Sequence, residues 1–263
     1  MNKQRPLEEI QQVIAKSVAT HPAGRKLALI GGFRYRFLDG SVRTSADIDY
    51  HWAGDLEGKR DELADLFRRV VLPDIARRYG YAGRVDTGIN PAIDSSFVKV
   101  VTLSFWKDDI PDSRLEIPIE VTRIACIDPV TVRTAGGTVY ATASEGDMIE
   151  SKVISLFNRT SLQHRDILDL FLFRNHFRDD ADKRLETKFR TLGFVPTDIT
   201  RHLQDLIKNS DYHAKAVQAV IDMQLEADSA IQLNDAGGGT MVFAEVIKIL
   251  GKILKYHESY RLA

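Results

Sequence analysis

The amino-acid sequence changes character near residue 145, and this change restricts the fold more than any other feature. Before it, short runs rich in β-branched and aromatic residues alternate with turn residues, as expected of strands. After it, apolar residues recur with the period of an α-helix almost throughout. The sequence therefore predicts an α+β protein with two domains: residues 1–145 form a sheet with flanking helices, and residues 146–263 are entirely helical.

The apolar patterns predict the elements of each domain. Strands are expected at 27–30, 47–52, 97–106, 117–124 and 138–142. Helices of the first domain are expected at 7–18, 33–38 and 59–78, and those of the second at 146–158, 161–177, 181–191, 198–208, 212–232 and 241–258. Residues 193–196 and 234–239 contain Gly or Pro, so we expect helix breaks there, the second containing a flexible linker.

Composition and charge exclude several classes of protein. Hydrophobic residues make up 44% and charged residues 28% of the chain, which is typical of globular proteins and unlike disordered or fibrous ones. The net charge of -1 provides no global basic field, so nucleic-acid binding would need a local patch. The one cysteine, Cys126, excludes a disulfide framework and is expected to be buried. No apolar run approaches the ~18–20 residues of a membrane span and the first residues lack a signal-peptide core, so we expect a cytoplasmic protein with no membrane partner.

The most informative motif is the glycine pair Gly31-Gly32, followed by Asp47 and Asp49 on a predicted strand. The glycines come after a buried strand and before a short helix, where a backbone without Cβ atoms can approach a phosphate closely. Residues i and i+2 of a strand point to one face, so both carboxylates share a face while Ile48 packs into the core behind them. Two aligned carboxylates are suited to a Mg²⁺ ion that also contacts substrate phosphates.

A third acid, Glu120, is the candidate that would complete a two-metal site. Glu116, Pro118 and Glu120 share one face of a predicted strand whose other face is apolar. Pro118 indicates that this strand lies at a sheet edge or starts there. A plain solvent-facing role for Glu120 is an equal alternative at this point.

A second motif lies in the helical domain. Lys152 and Arg159 are seven residues apart and therefore lie on one helix face, and Thr160 with Gln163 is typical of a capping box that starts the next helix. That helix carries three charged residues in its first turns: Arg165, Asp166 and Asp169. The cations could hold a triphosphate while the acids orient them, but a structural salt-bridge network is the interpretation that this segment alone favours.

Together the two motifs resemble those of the AbiEii/AbiGii family of nucleotidyltransferase toxins, within the DNA polymerase beta-like nucleotidyltransferase superfamily. The family's Gly-Gly and later Arg-x-Ser-x-Asp-Ile-Asp are matched by Gly31-Gly32 and by Arg43-Thr44-Ser45-Ala46-Asp47-Ile48-Asp49. Its later pattern is matched by Lys152, Arg159 and Arg165-Asp166-Ile167-Leu168-Asp169, and its strand Ile-x-Ile-Glu by Ile117-Pro118-Ile119-Glu120. The resemblance covers roughly residues 25–175.

The resemblance implies a fold, a reaction and residue roles. Residues 1–145 would be the catalytic domain around a mixed sheet, and residues 146–263 would complete the nucleotide site. Asp47, Asp49 and Glu120 would be catalytic residues that bind Mg²⁺, or Mn²⁺ in its place, with Glu120 also orienting or deprotonating the acceptor hydroxyl. Lys152 and Asp166 would complete the catalytic set, and the nucleotide would be bound by Gly31, Gly32, Arg43, Ser45, Lys152, Arg159, Arg165 and Asp169. The acceptor would attack the α-phosphorus of an NTP in line, and pyrophosphate would leave.

Three functional hypotheses follow. The first is a toxin that transfers NMP to an RNA acceptor, such as a tRNA 3′ end, in a toxin–antitoxin or phage-defence pair with an antitoxin or regulator encoded nearby. The second is a nucleotidyltransferase with a small-molecule acceptor, such as an antibiotic or metabolite. The third is a catalytically silent nucleotide-binding or partner-binding protein, since Phe33 stands where the family has a small hydroxyl residue that helps to hold a phosphate.

Overall fold

The structure is a computed structural model that describes residues 4–88, 98–159 and 161–254. The chain forms two compact units. The sheet unit comprises Met1–Ile124 and Pro129–Ala143, and the helical unit comprises Ala125–Asp128 and Ser144–Ala263. The short segment Ala125–Asp128 therefore leaves the sheet unit and belongs to the helical one. The predicted α+β class is confirmed: strands and helices both occur before residue 144, and the elements after it are all helices.

A seven-stranded mixed sheet forms the framework of the sheet unit. Its strands are β1 (Ala28–Ile30), β2 (Ile48–His51), β3 (Ala82–Asp86), β4 (Val98–Lys107), β5 (Ile110–Thr122), β6 (Thr131–Ala135) and β7 (Thr138–Thr142). Their order across the sheet is β3-β4-β5-β2-β1-β7-β6. The pairs β1–β7 and β2–β5 are parallel and the others are antiparallel. The parallel pair β2–β5 sets the two acid-bearing strands side by side.

Two of these strands, β3 and β6, have no counterpart in the sequence prediction. Both are edge strands, and all of β6 except its last residue is exposed. An edge strand receives a neighbour on one side only, so its apolar pattern is weak and sequence periodicity misses it. The prediction that Pro118 marks an edge or a start is wrong for the strand, because β5 is internal and begins at Ile110. Pairing with β2 begins only at Ile119, so at Pro118 the register pairs β5 with β4 alone.

The helices of the sheet unit pack against one another and the sheet through a single apolar core. They are α1 (Gln4–Thr20), α2 (Gly31–Asp39), α3 (Leu56–Leu66) and α4 (Leu72–Tyr79). The predicted helix 59–78 begins earlier, because Asp55 caps it by accepting hydrogen bonds from the amides of Glu57 and Gly58. It is also interrupted by a π-helical turn, Phe67–Val71. Pro73 in the first turn of α4 lacks an N–H for the α-helical ladder, which accounts for the change of helix type there.

The helical unit contains seven α-helices and a short 3-10 helix, Arg174–His176, in its described residues. The α-helices are α5 (Glu145–Asn158), α6 (His164–Leu172), α7 (Ala181–Thr191), α8 (Pro196–Lys208), α9 (Ser210–Gln224), α10 (Ala227–Asp235) and α11 (Gly238–Ile253). The helix predicted at 212–232 is two helices, because the backbone becomes extended at Leu225. The predicted capping box is also wrong: Gln163 itself is the N-cap of α6, and Thr160 lies outside the described residues. Phe97 and residues 255–258 of other predicted elements lie outside them too.

Two further expectations are corrected by the packing. The glycines at 237–239 are not a flexible linker, since α11 begins at Gly238 and Gly239 lies against α9. A Cβ on Gly239 would come within 2.2 Å of the Ala214 carbonyl oxygen, so the glycine permits a close helix contact. Cys126 is exposed and not buried. None of the described helices has the length and apolarity needed to traverse a lipid bilayer.

Candidate functional site

Three carboxylates converge on one face of the sheet. The parallel register of β2 and β5 pairs Asp49 with Glu120, and Asp47 lies immediately before β2. One carboxylate oxygen from each of the three lies within 4.8 Å of those of the other two. Ile48, between the aspartates, is buried in the core, as the alternation predicted. These three residues are called the acid triad below.

The donor set of the acid triad fits a hard divalent cation. All three side chains offer carboxylate oxygens, which Mg²⁺ prefers, and Asp47 keeps only 8% exposure while the other two are partly buried. Glu116, on the same face of β5, differs: its carboxylate is 54% exposed and pairs with Arg114 at 2.7 Å. Glu120 is thus partly buried beside Asp47 and Asp49, whereas Glu116 is exposed. The role of Glu120 as a metal ligand stays a prediction.

The glycine pair makes room for the side chains of this motif. Gly31 has φ +76°, and a Cβ there would lie 1.8 Å from the Oδ2 atom of Asp49. A Cβ on Gly32 would lie 2.4 Å from the Arg43 guanidinium and 2.7 Å from the Ser45 hydroxyl. The two glycines are thus required by the close approach of Asp49, Arg43 and Ser45 to the start of α2. The expected approach of a phosphate to this backbone stays a prediction.

The loop between α2 and β2 is held by hydrogen bonds of its own buried side chains. The Ser45 hydroxyl donates to Oδ1 of Asp47 at 2.5 Å. Arg43 donates from its guanidinium to the Thr44 carbonyl at 3.0 Å, and its amide donates to the Ser41 hydroxyl at 3.1 Å. The residues that the resemblance assigns to nucleotide binding therefore also shape the loop that presents Asp47.

Phe33, the departure from the family pattern, has a structural explanation. Its ring is 2% exposed, belongs to the core of the sheet unit and stacks on Phe37 with centroids 5.3 Å apart. The neighbouring Arg34 is also buried, donates to the Thr142 hydroxyl at 3.1 Å and forms an ion pair with Asp39. These contacts anchor α2 to the sheet, so the bulk of Phe33 is accommodated in the core.

His51 is a polar neighbour of the acid triad that the sequence analysis missed. It lies two residues after Asp49 on the same face of β2, and its register partner on β5 is Thr122. The Nδ1 atom accepts a hydrogen bond from the Ile124 amide at 3.1 Å, which fixes the ring. The alternation that placed Asp47 with Asp49 would also have placed His51 on that face.

The charged motif of the helical unit forms a compact ion cluster. The Lys152 ammonium lies 2.7 Å from Oδ1 of Asp166 and 3.1 Å from Oδ2 of Asp169. Arg159 lies 2.9 Å from Oδ2 of Asp166 and keeps 43% exposure, whereas both aspartates are buried. These four residues are called the helical cluster below. Arg165 is partly buried in the first turn of α6.

The electrostatics of the helical cluster keep Asp166 ionised. Burial alone would raise the pKa of its carboxyl, but the charges of Lys152 and Arg159 outweigh burial and hold the pKa below its usual value. The cluster contains two cations and two acids, so its formal charges cancel. These contacts form the structural salt-bridge network that the sequence of this segment favoured. The contact of its cations with a triphosphate stays a prediction.

A larger buried ion network, also missed by the sequence analysis, lies in the same unit. Lys188 contacts both Asp147 and Glu150 at 2.6 Å, and Arg184 contacts Asp147 at 2.9 Å and Glu150 at 2.6 Å. Arg184 also binds Asp128 through both terminal nitrogens, and Asp147 accepts the amides of residues 127 and 128. The network fastens the segment Ala125–Asp128 to α5 and α7. Contacts between residues so far apart in sequence leave no local pattern to detect.

Comparison with known proteins supports the fold. The chain has the fold of solved nucleotidyltransferase structures. It is similar to a candidate nucleotidyltransferase from H. pylori (TM-score 0.58, 16% identity, covering 99% of this chain and 98% of that one) and to JHP933 from Helicobacter pylori (TM-score 0.56, 16% identity, 99% and 96%). It is also similar to MenT4, a nucleotidyltransferase toxin from Mycobacterium tuberculosis, with TM-score 0.52 and 17% identity over 70% of this chain and 63% of that one. No protein-family model matches the sequence, and no curated protein gives a significant match.

Proposed function

We propose that this chain is a Mg²⁺-dependent nucleotidyltransferase that transfers NMP from an NTP to an acceptor. The observation that carries the proposal is the convergence of Asp47, Asp49 and Glu120 within 4.8 Å on adjacent strands of a nucleotidyltransferase fold. Three carboxylate oxygens that converge in this way match the hard oxygen donors that a divalent cation prefers. Mn²⁺ satisfies the same oxygen donors.

The residues of the acid triad have distinct roles in this reaction. Asp47 and Asp49 would hold the cation, and the Ser45 hydroxyl fixes the carboxylate of Asp47. A bound divalent ion would supply electrostatic stabilisation of the phosphate charge that develops as pyrophosphate leaves. Glu120 orients the acceptor hydroxyl and takes its proton. The acceptor oxygen forms a bond to the α-phosphorus while the bond from that phosphorus to the pyrophosphate oxygen breaks.

The helical cluster has a proposed role in neutralising phosphate charge. Arg159 is the candidate for contact, because its guanidinium stays 43% exposed while it pairs with Asp166. Lys152 is held by Asp166 and Asp169, so the acids restrict the position of its ammonium. Arg165 adds a further positive charge at this end of α6. In nucleotide transfer, Arg and Lys side chains such as these neutralise the negative charge of the triphosphate.

For the acceptor, we favour RNA, such as a tRNA 3′ end, with the protein acting as a toxin restrained by an antitoxin. The support is the likeness of the fold to MenT4, a nucleotidyltransferase toxin, together with the motif resemblance. A small-molecule acceptor is the second candidate, favoured by the net charge of -1, which gives no general attraction for nucleic acid. The catalytically silent alternative depends on Phe33, which offers no hydroxyl to a phosphate, and the incorporation test below separates it from the other two.

The test is nucleotide incorporation with a matched pair of variants. Wild type, Glu120→Gln and Glu116→Gln are incubated with each α-³²P-labelled NTP, Mg²⁺ and total cellular RNA, and the products are resolved on a denaturing gel. Both glutamates lie on the same face of β5, but only Glu120 belongs to the acid triad. We expect labelled RNA with wild type and Glu116→Gln, and a loss of about 100-fold or more with Glu120→Gln.

The outcomes separate the candidates. Label in an RNA band identifies the acceptor class. Transfer to an added small hydroxyl compound without RNA labelling selects the second candidate. Nucleotide binding without incorporation into any acceptor, with either Mg²⁺ or Mn²⁺, contradicts the enzymatic proposal. Equal losses in Glu120→Gln and Glu116→Gln would contradict the assignment of the acid triad.

A further inference from the structure

The residue Gln11 on α1 stands out because it is a polar side chain in an apolar helix face. Its neighbours on that face, Ile10, Ile14 and Val18, are buried in the core of the sheet unit. Gln11 itself is 1% exposed. Burying an amide costs free energy that an apolar residue of similar size would not, so its presence calls for a contact that uses the amide.

That contact is with the loop that carries Asp47. The Nε2 atom of Gln11 donates to the Ser45 carbonyl oxygen at 2.9 Å, and the bond is buried. A carbonyl oxygen can only accept, so this bond fixes which way the amide points. The Oε1 atom of Gln11 then has no hydrogen-bond partner among the described residues. The amide of Gln11 therefore makes one buried hydrogen bond, through Nε2, while its buried Oε1 atom makes none to the described residues.

A second residue of α1 is connected to the same loop through Arg36 of α2. Glu8, three residues before Gln11 and therefore on the same side of the helix, lies 3.1 Å from the Arg36 guanidinium. Arg36 in turn donates to the Ser41 carbonyl oxygen at 2.6 Å. The loop between α2 and β2 is therefore bound at two carbonyls, one near each end: directly from α1 at Ser45, and by Arg36 of α2 at Ser41.

We propose that Gln11 is a positioning residue for cation binding: it holds the Ser45 backbone so that the Ser45 hydroxyl fixes the Asp47 carboxylate within the acid triad. The chain of contacts runs from Gln11 to the Ser45 carbonyl, and from the Ser45 hydroxyl to Oδ1 of Asp47 at 2.5 Å. Residues that orient a metal ligand from behind govern metal affinity although they do not touch the ion. Gln11 lies outside the segment that carries the motif resemblance, so no motif assigns it this role.

The test measures Mn²⁺ binding directly, by the electron paramagnetic resonance signal of free Mn²⁺, and does not depend on catalysis. Gln11→Met keeps the length of the side chain and removes the donor, and we expect its dissociation constant for Mn²⁺ to rise about 3- to 10-fold. The matched control is Gln12→Met, because Gln12 is the next residue of α1 and is exposed. We expect wild-type affinity from that control. Thermal melts without metal establish that each variant is folded.

A double-mutant cycle separates positioning from general loosening of the fold. If Gln11 acts through Ser45, then Gln11→Met combined with Ser45→Ala binds Mn²⁺ about as weakly as Ser45→Ala alone. Losses that multiply would overturn the proposal, because they would show that Gln11 acts by another route. Wild-type affinity in Gln11→Met would overturn it as well.

The inference rests on the proposed function, but the two can fail separately. If wild type and Gln12→Met bind Mn²⁺ at a site that Asp49→Asn abolishes, while Gln11→Met matches wild type, only the role of Gln11 is wrong. If wild type itself binds no Mn²⁺ at this site, the proposed metal-dependent function fails, and the role of Gln11 fails with it.

Discussion

The acid triad of the sheet unit and the helical cluster both contain buried or partly buried acids, but they differ in the charges that they bring together. The triad brings together three acids whose carboxylates lie within 4.8 Å of one another. The cluster brings together two acids and two cations at distances of 2.7–3.1 Å. The first gathers three carboxylates around one point, whereas the second pairs each of its acids with a cation.

This difference indicates what each group can do. Carboxylates this close to one another repel, and a divalent cation bound among them would lower that repulsion. A group that neutralises itself is stable without a ligand and loses stability when one partner is removed. The triad is therefore suited to bind an ion, whereas the ion pairs of the helical cluster join α6 to α5 and leave only Arg159 exposed for the proposed phosphate contact. The predictions below test this contrast.

The largest effect is expected when one charge is removed from each group. Lys152→Met leaves the buried Asp166 and Asp169 with less compensation, so we expect the free energy of unfolding to fall by about 3–5 kcal/mol. Asp49→Asn relieves repulsion in the triad, so without metal it should change that free energy by less than about 1 kcal/mol, in either direction. Urea denaturation in the presence of EDTA measures both.

Divalent cations then sharpen the same comparison. Mn²⁺ should raise the melting temperature of wild type and of Lys152→Met, but not that of Asp49→Asn, because only the last variant lacks a triad carboxylate. A large loss of stability in Asp49→Asn without metal would show that the triad is a structural group like the cluster, and the contrast would be wrong.

A second large effect is expected at Phe33, where substitutions test whether the side chain at this position only packs in the core or also affects nucleotide binding. The ring is 2% exposed and stacks on Phe37, so Phe33→Ser should lower the free energy of unfolding by about 3–4 kcal/mol. Phe33→Leu, which keeps most of the apolar volume, should lower it by about 1–1.5 kcal/mol. Titration with a fluorescent ATP analogue at low temperature should show unchanged affinity in both variants. Tighter nucleotide binding by the serine variant would instead show that position 33 reaches the site.

The contrast between local and distant contacts also explains how much the sequence alone could predict. Alternation within a strand placed Asp47 and Asp49 on one face with Ile48 behind them, since that pattern is local. The pairing of Asp49 with Glu120 depends on the parallel register of β2 and β5, which no local pattern specifies. The glycine pair was noticed for its spacing, but its contacts with Asp49, Arg43 and Ser45 appear only in the folded chain.

The helical unit shows the same limit. The residues of the helical cluster were found because they are close in sequence: Lys152, Asp166 and Asp169 lie in the consecutive helices α5 and α6, and Arg159 directly follows α5. The network of Asp147, Glu150, Arg184 and Lys188 was missed because it joins helices that are not adjacent in the sequence. Gln11 was missed for a related reason: a single polar residue in an apolar stripe has no motif, and its partner at Ser45 lies beyond the reach of any periodicity.

A smaller effect separates backbone strain from crowding at the acid triad. Gly31 and Gly40 both have positive φ, +76° and +68°, so alanine at either position strains the backbone by about 1–2 kcal/mol. A Cβ at Gly40 meets nothing within 4 Å, whereas at Gly31 it would lie 1.8 Å from the Asp49 carboxylate. We therefore expect both variants to be less stable, Gly31→Ala by about a further 1–3 kcal/mol. Only Gly31→Ala should lose Mn²⁺ affinity, and equal affinities in the two variants would contradict the close contact.

The smallest effect is a pH dependence of the helical unit, where a like-charged pair can form. His164 and His213 lie with ring nitrogens 3.0 Å apart, and burial lowers the pKa of both, with His213 adding to the effect at His164. The unfolded chain therefore takes up protons at a higher pH than the folded one, so the free energy of unfolding falls as the pH drops below about 6.5. Because both rings are partly exposed, the loss of stability by pH 5.5 should be less than about 1 kcal/mol.

Calorimetry of wild type and His213→Gln at pH 7.5 and 5.5 measures this loss, and the variant should lose less stability than wild type over this interval. Asp166 does not contribute over this interval: its pKa is lowered, so its stabilising charge is lost only below about pH 4. An equal loss of stability in wild type and His213→Gln would assign the pH dependence to other groups.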